Sequence, residues 1–370
     1  MSYTSYEIVK YSPEFKSGII ELQKHLWSPD AAVNAAYFEW KYEQNPYINT
    51  PLIYLALCEG QVVGMRGMYG AKWQVGNCGH TFLGPCSGDS VIAPDHRGNS
   101  GLFKKLIMAH LNDLSNSGYI YTFALSANPI SRLSLLIMAY RSIGSVQRMQ
   151  REARHRAISS RVMRYATKLP FFSSPKKHPP FYFLDKNTVK PKGSPCVSVE
   201  RTPRPEAMAE LVKRIGNDGR IRHVKDKHYF SWRFNNPLSS YRFLFWEGPR
   251  LEGYLVLQTK FDNSTLRDNI VDWEATNPQV RSDLLEAALR LGKFDSLSIL
   301  TATLPDEVKA LLERNGFRVL GEAKSRAQYR PTVLVRPVRD DMLNTDWTIE
   351  GCSLLDLSNW DLRMIYSDGT

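Results

Sequence analysis

Residues 91–103 read VIAPDHRGNSGLF. A β-rich run meets Pro94, passes a turn dense in small residues, and enters the apolar spacing of a helix. N–H groups in the first turn of a helix have no partner inside it and point outwards. With the helix dipole they attract anions, phosphates above all. Gly98, Ser100 and Gly101 keep bulk away from that backbone, so that a phosphate could approach it. The same residues also suit a plainer use, a helix capped after a glycine turn.

The elements that would position the turn are legible from spacing. Residues 89–93 read as the strand that feeds it. The helix after it carries Leu102, Phe103, Leu106, Ile107, Leu111 and Leu114 on one face, and Gly118 stops it. A strand over 119–127 and a helix over 131–144 follow, the helix ending at Gly144. Upstream, 51–70 is a hairpin turning at Glu59-Gly60-Gln61.

The chain then repeats itself. Residues 37–46 read YFEWKYEQNP and 229–237 read YFSWRFNNP, with the tryptophans 192 residues apart. Five positions are identical, Lys41 with Arg233 and Tyr42 with Phe234 are conservative, and one gap is needed. A domain-sized offset signals a duplicated unit, and 370 residues suit two domains. The second copy continues with a hairpin (241–260), a strand and helix (269–293), a strand (296–303), a helix (305–317) and a strand-like stretch to Val338. Each copy thus runs helix, hairpin, strand, helix, strand, helix, strand. This is an α/β fold class with a mixed sheet in each of two tandem domains, and it lacks a GxGxxG fingerprint. The repeat also reassigns 145–158, SVQRMQREARHRAI, which alone reads as a basic helix suited to a membrane surface. Its counterpart is a strand, so 146–158 is expected to be mainly strand. The expected division is a domain over 1–166, a Pro- and Lys-rich linker over 167–195, a second domain over 196–340 and a tail over 341–370.

The net charge of +11 is concentrated: residues 148–192 hold twelve Lys or Arg and two acids, Glu152 and Asp185. Such a block suits an anionic partner or a solvated linker. No stretch approaches the ~20 apolar residues of a membrane span, and the start lacks the apolar core of a signal peptide. Five scattered cysteines, without a CxxC pair or metal spacing, read as reduced thiols of a cytoplasmic protein. No metal is expected.

The strand, turn and helix around 91–103 resemble those of the GCN5-related N-acetyltransferase superfamily. That superfamily carries an Arg/Gln-x-x-Gly-x-Gly/Ala signature between its fourth strand and the next helix, and holds the pyrophosphate of acetyl-CoA with it. Here Arg97-Gly98-Asn99-Ser100-Gly101-Leu102 takes the place. Ser100 stands at the first glycine position, and Gly101 follows one residue late. Pro94 matches a proline that commonly precedes the signature. The resemblance implies acetyl-CoA, or another acyl-CoA, as co-substrate. Val91, Ile92, Arg97, Gly98, Asn99, Ser100, Gly101, Leu102 and Phe103 would hold it, with Asn128 on the pantetheine arm. It implies Tyr140, four residues before Gly144, as general acid to the departing thiolate; by itself a tyrosine on an apolar helix is core packing. A backbone N–H near Val91 or Ile92 would face the thioester oxygen. Asp89 is the first candidate for the base that frees the amine of its proton, with His80 and Glu39 as alternatives on the acceptor side.

The second copy lacks these parts. At the loop position it reads NPQVRSDLLEA (277–287), without glycine and with Asp283 adding negative charge, and Leu312 aligns with Tyr140. One working domain and one degenerate partner are expected. Trp40 and Trp232 occur in both copies and read as scaffold, whereas Glu39 faces Ser231 and is free to serve function. The acceptor is expected to be an amine on an anionic small molecule, such as a nucleotide-linked amino sugar of polysaccharide synthesis. Other readings are a Fem-like aminoacyl-tRNA-dependent transferase and a non-catalytic CoA- or anion-binding protein. A nucleic-acid partner would rest on the basic block alone.

Overall fold

A computed structural model describes residues 5–76, 79–98, 100–153, 188–189, 196–262, 265–291, 294–320 and 332–367. Most of the expected linker lies outside the described residues. The first copy comprises β1 (Glu7–Lys10), α1 (Lys16–Gln23), α2 (Ala31–Phe38), β2 (Leu52–Cys58), β3 (Gln61–Tyr69), β4 (Lys72–Val75), β5 (His80–Leu83), β6 (Cys86–Ile92), α3 (Ser100–Ser115), β7 (Tyr121–Ala127), α4 (Pro129–Ile137), β8 (Arg141–Ser145) and β9 (Arg148–Glu152). A short β10 (Thr188–Val189) precedes the second copy. That copy comprises β11 (Val197–Glu200), α5 (Pro205–Ile215), β12 (Arg222–His223), α6 (Lys227–Arg233), β13 (Ser240–Glu247), β14 (Leu251–Asp262), β15 (Thr265–Ala275), α7 (Pro278–Leu291), β16 (Ser296–Leu300), α8 (Asp306–Arg314), β17 (Arg318–Val319) and β18 (Thr332–Pro337).

The two sheets run β1-β2-β3-β6-β7-β18-β8 and β10-β11-β13-β14-β15-β16-β9-β17. Each is completed by a strand from the other copy. β18 enters the first sheet between β7 and β8, antiparallel to both. β9 enters the second between β16 and β17, again antiparallel to both. The strand expected over 146–158 is therefore present at β9, but in the other copy's sheet. Both sheets therefore draw strands from either side of the expected linker, 167–195.

The helix expected over 131–144 is shorter. α4 ends at Ile137, Ala139 turns left-handed (φ 62), and Tyr140 N–H donates to Leu135 O at 3.1 Å. Gly144, expected to stop this helix, lies inside β8. α8 ends in the same way, with Gly316 left-handed (φ 81) and Phe317 N–H on Leu312 O at 3.1 Å. The matched ends correct the alignment: Tyr140 corresponds to Phe317, and Leu312 corresponds to Leu135. The apolar run 133–143 reads as one helix because no glycine marks its turn.

The repeated phrase meets itself. Trp40 and Trp232 stack at 5.1 Å with planes 10° apart. Each indole N–H donates to the other's backbone carbonyl at 2.7 Å. This reciprocal pair marks a local two-fold axis inside one chain. The gap between the phrases also has a physical form. Residues Glu39–Glu43 make one wide π turn, in which Gln44 N–H reaches back to Glu39 O; such a turn absorbs a single inserted residue. Around the pair lies a core shared by both copies, which the tail joins through Trp347, Leu354, Trp360, Ile365 and Tyr366. The β4–β5 hairpin reaches across and pairs with β12.

Candidate functional site

The turn between β6 and α3 has the shape expected of it. Gly98 is left-handed (φ 90), which favours glycine. A Cβ added at Gly98 or Gly101 would meet nothing within 4 Å, so the first turn of α3 opens to free space. Ser100 begins the helix, Leu102 is buried and Phe103 half-buried, so these positions offer backbone to a ligand. Asn99 lies outside the described residues. Asn128 caps α4, its Oδ1 accepting from Ser131 N–H at 2.8 Å.

Beside the turn the sheet parts. β6 and β7 share one described register pair, Cys86 with Phe123; beyond it β6 follows β3, and β7 follows β18. Ala93 N–H donates to Val63 O. Alternation along the antiparallel ladder then sends Val91 N–H to β3, and Ser90 and Ile92 N–H to the open side. Ile92 O faces that side too, where Arg97 Nε donates to it at 2.9 Å. Of the two expected oxyanion donors, Ile92 faces the gap and Val91 does not. An open strand edge suits an extended chain that carries its own amides.

A buried polar cluster on the α3 face of the gap escaped the sequence reading. Arg66 of β3 is 1% exposed and donates to Ser87 Oγ at 2.8 Å and Ser90 Oγ at 3.2 Å, with Phe103 beneath it at 5.8 Å. Burial pushes its guanidinium below its ordinary value; the groups that oppose this are the hydroxyls of Tyr140 and Tyr42, and no carboxylate is among them. Tyr140 is buried among Ile107, Leu111 and Ala124. Its hydroxyl neighbours Arg66, but no hydrogen bond of standard geometry joins them. The expected argument for Tyr140 therefore changes. Four residues before the left-handed end of α4 stands Leu135, so the tyrosine enters from the start of β8 and not from the helix.

The expected bases fare differently. Asp89 is fully buried, with Oδ1 on Lys41 Nζ at 2.7 Å and Oδ2 on Gln23 Nε2 at 2.8 Å. Its register counterpart, Asp272, is likewise held by Lys225 at 2.9 Å and Tyr254 at 2.7 Å. The two aspartates hold equivalent places and each is held by a buried lysine, although the lysines come from different positions, Lys41 aligning with Arg233; a buried, ion-paired aspartate of this kind reads as scaffold. His80 sits at the tip of the β4–β5 hairpin, 3.4 Å from Glu350 of the tail. Glu39 is half exposed and pairs with Lys16 at 3.1 Å. The structure thus gathers the turn, Ile92 and Tyr140 around one gap, adds Arg66, Ser87 and Ser90, and leaves Asp89, His80 and Glu39 engaged elsewhere. An arginine inside the apolar run VVGMRGMY, where β14 has Leu255, was the signal for Arg66.

The second copy shows what the site needs. Residues 93–99 separate β6 from α3, whereas only 276 and 277 separate β15 from α7, so the turn is missing rather than altered. Asp283, expected to repel a phosphate there, lies within α7 and accepts from Trp246 Nε1 at 3.0 Å. Arg66, Ser87, Ser90 and Tyr140 give way to Leu255, Ile270, Trp273 and Phe317. β15 and β16 stay paired for four residues each. Beyond them Arg363 of the tail donates to Trp273 O at 3.2 Å, with Met364 alongside, so the free edge of β15 is occupied by the chain itself.

No protein-family model and no curated protein matches the sequence. Solved structures match in fold. A GCN5-related N-acetyltransferase from Anabaena variabilis ATCC 29413 gives a TM-score of 0.58 at 12% identity, over 90% of this chain and 73% of that one. A conserved protein of unknown function from Enterococcus faecalis V583 gives 0.58 at 13% identity over the same shares. A GCN5-related N-acetyltransferase from Kribbella flavida gives 0.51 at 13% identity, over 90% and 71%. With its two mixed sheets and their strand-to-helix turns, the chain has the fold of the GCN5-related N-acetyltransferases.

Proposed function

We propose that the first copy is an N-acyltransferase that draws its acyl group from acetyl-CoA, and that the second copy is its structural partner. The observation that carries this reading is the open edge of β6. It leads from the turn at α3 to a buried cation and hydroxyl that the second copy replaces with apolar groups. The backbone of Gly98 and Gly101 and the first turn of α3 would take the pyrophosphate. The amides of Ser90 and Ile92 would face the pantetheine arm and the thioester oxygen. Asn128 and Arg97 flank the entrance.

The reaction needs few groups. A neutral amine attacks the thioester carbon, the C–S bond breaks, and its electron pair leaves on sulfur. Tyr140 Oη gives its proton to that sulfur, and Arg66 holds the negative charge left on the oxygen until a proton from water restores the phenol. This role rests on position, not on the helix register first expected. With both oxygens of Asp89 engaged by Lys41 and Gln23, we take water as the acceptor of the amine's proton. The acceptor is a small-molecule amine; an anionic one, such as an amino-sugar nucleotide, would suit the basic block. Thiol release from acetyl-CoA against a panel of amino sugars, amino acids and polyamines tests the reading. Amine-dependent release is expected, and silence across the panel would count against it.

A further inference from the structure

The solvent face of α4 is apolar. Ile130 is 81% exposed, Ile137 71%, Leu133 62% and Leu136 37%. Met108 of α3, 38% exposed, shares a groove with Ile137. Single exposed apolar side chains are ordinary, but a cluster on one short helix marks an interaction surface. The second copy supplies a control. The matched helix ends align Ile130 with Glu307, Leu133 with Ala310, Leu136 with Glu313 and Ile137 with Arg314. The same helix in the same fold thus carries charge on this face, so the fold does not require apolar residues there.

The uncompensated charge around it is positive: Asp340 and Asp341, which line the same groove, are paired with Arg336 and Arg339. Arg132 lies within the face, and Lys104 and Lys105 stand one turn before Met108 on α3, all three exposed. α4 carries no acid, and α3 has none before Asp113. Ile130 and Leu133 protrude, Ile137 and Met108 edge the groove, and no aromatic ring is among them. That pattern suits a soft apolar medium beneath a layer of negative charge. No described helix is long and apolar enough to cross a membrane; α4, with nine residues, would lie along a surface.

We propose that α4 and the adjoining turn of α3 form a docking surface for an anionic lipid bilayer. Ile130, Leu133 and Ile137 enter the acyl boundary, while Lys104, Lys105 and Arg132 meet lipid phosphates. The surface does not depend on the catalytic reading above. Flotation of the full chain with phosphatidylcholine vesicles, with and without phosphatidylglycerol, tests it. The chain should float with the anionic vesicles, and less so as salt rises. The variant Ile130→Ser/Leu133→Ser/Ile137→Ser should lose about tenfold or more in vesicle affinity while keeping its far-ultraviolet circular dichroism and its Tm. Should that variant fail to fold, Ile130→Glu, the residue of the second copy, supplies the same comparison. Unchanged vesicle affinity in a folded variant would overturn the proposal and leave attraction to the basic block. Absence of binding at low salt would also overturn it. So would a wild-type dimer, seen by sedimentation, that dissociates in the variant, because the face would then join two chains.

Discussion

β6 and β15 hold the same place in two sheets of one plan, and their free edges meet different fates. The free edge of β6 carries Arg97, from its own seven-residue connection to α3, on Ile92 O; that of β15 carries Arg363, from the distant tail, on Trp273 O, after a two-residue connection to α7. Beneath β6 lies a buried arginine with no carboxylate on it among the described residues, held by Ser87 and Ser90; beneath β15 lie leucine, isoleucine, tryptophan and phenylalanine. The second copy shows that the fold is complete without the polar set. On the proposed reading, polar groups present in one half and replaced by apolar ones in the other mark the working half. What the two halves share, the tryptophan pair and the buried lysine-bound aspartates Asp89 and Asp272, marks the scaffold.

The comparison can be broken most forcefully at its axis. Trp40→Ala and Trp232→Ala should each cost about 3–5 kcal/mol in urea unfolding, and their reciprocal contacts make the two costs alike. Widely unequal costs would deny the symmetry. Next comes the tyrosine. Tyr140→Phe should lower kcat by at least about a hundredfold with KM for acetyl-CoA unchanged. The reverse exchange, Phe317→Tyr, should leave kcat alone and destabilise by about 1–3 kcal/mol, because its hydroxyl would be buried without a partner. Equal kinetics in wild type and Tyr140→Phe would return the tyrosine to packing.

Smaller effects sharpen the contrast. Arg66→Leu, which installs the second copy's residue, should reduce turnover yet leave stability equal or raise it by about 1 kcal/mol or more, since an unpaired buried charge is removed. A large loss of stability would make Arg66 structural. A gradual effect, small near neutral pH, is a pH slope from His110. Burial, with Arg66 adding to it, lowers His110 to about 3. The unfolded chain takes up this proton near pH 6.5 and the folded chain only near 3. Stability should therefore fall as pH drops through that window, by up to about 1.4 kcal/mol per unit. His110→Gln should flatten the slope in denaturation at several pH values.

Much of this was readable in the letters. The turn at Gly98 and the order of elements follow from local spacing, and the doubled phrase aligned the copies. What escaped needs contacts over long range. A strand such as β9 shows its own extended pattern but not which sheet it joins. Asp89 looks available until Lys41, 48 residues away, is seen on it. α4 ends at Ile137 and the chain turns at Ala139, whose left-handed backbone no glycine announces, so an apolar run concealed both the end of a helix and the start of β8. Arg66 stood in plain view within a buried strand, where its counterpart is leucine.

The central claim is that one copy binds the acyl donor and the other does not. Calorimetric titration of the full chain with acetyl-CoA tests it directly. One site per chain is predicted, lost in Arg97→Glu and retained in Arg363→Ala. No binding to the wild type, or two sites per chain, would contradict the account.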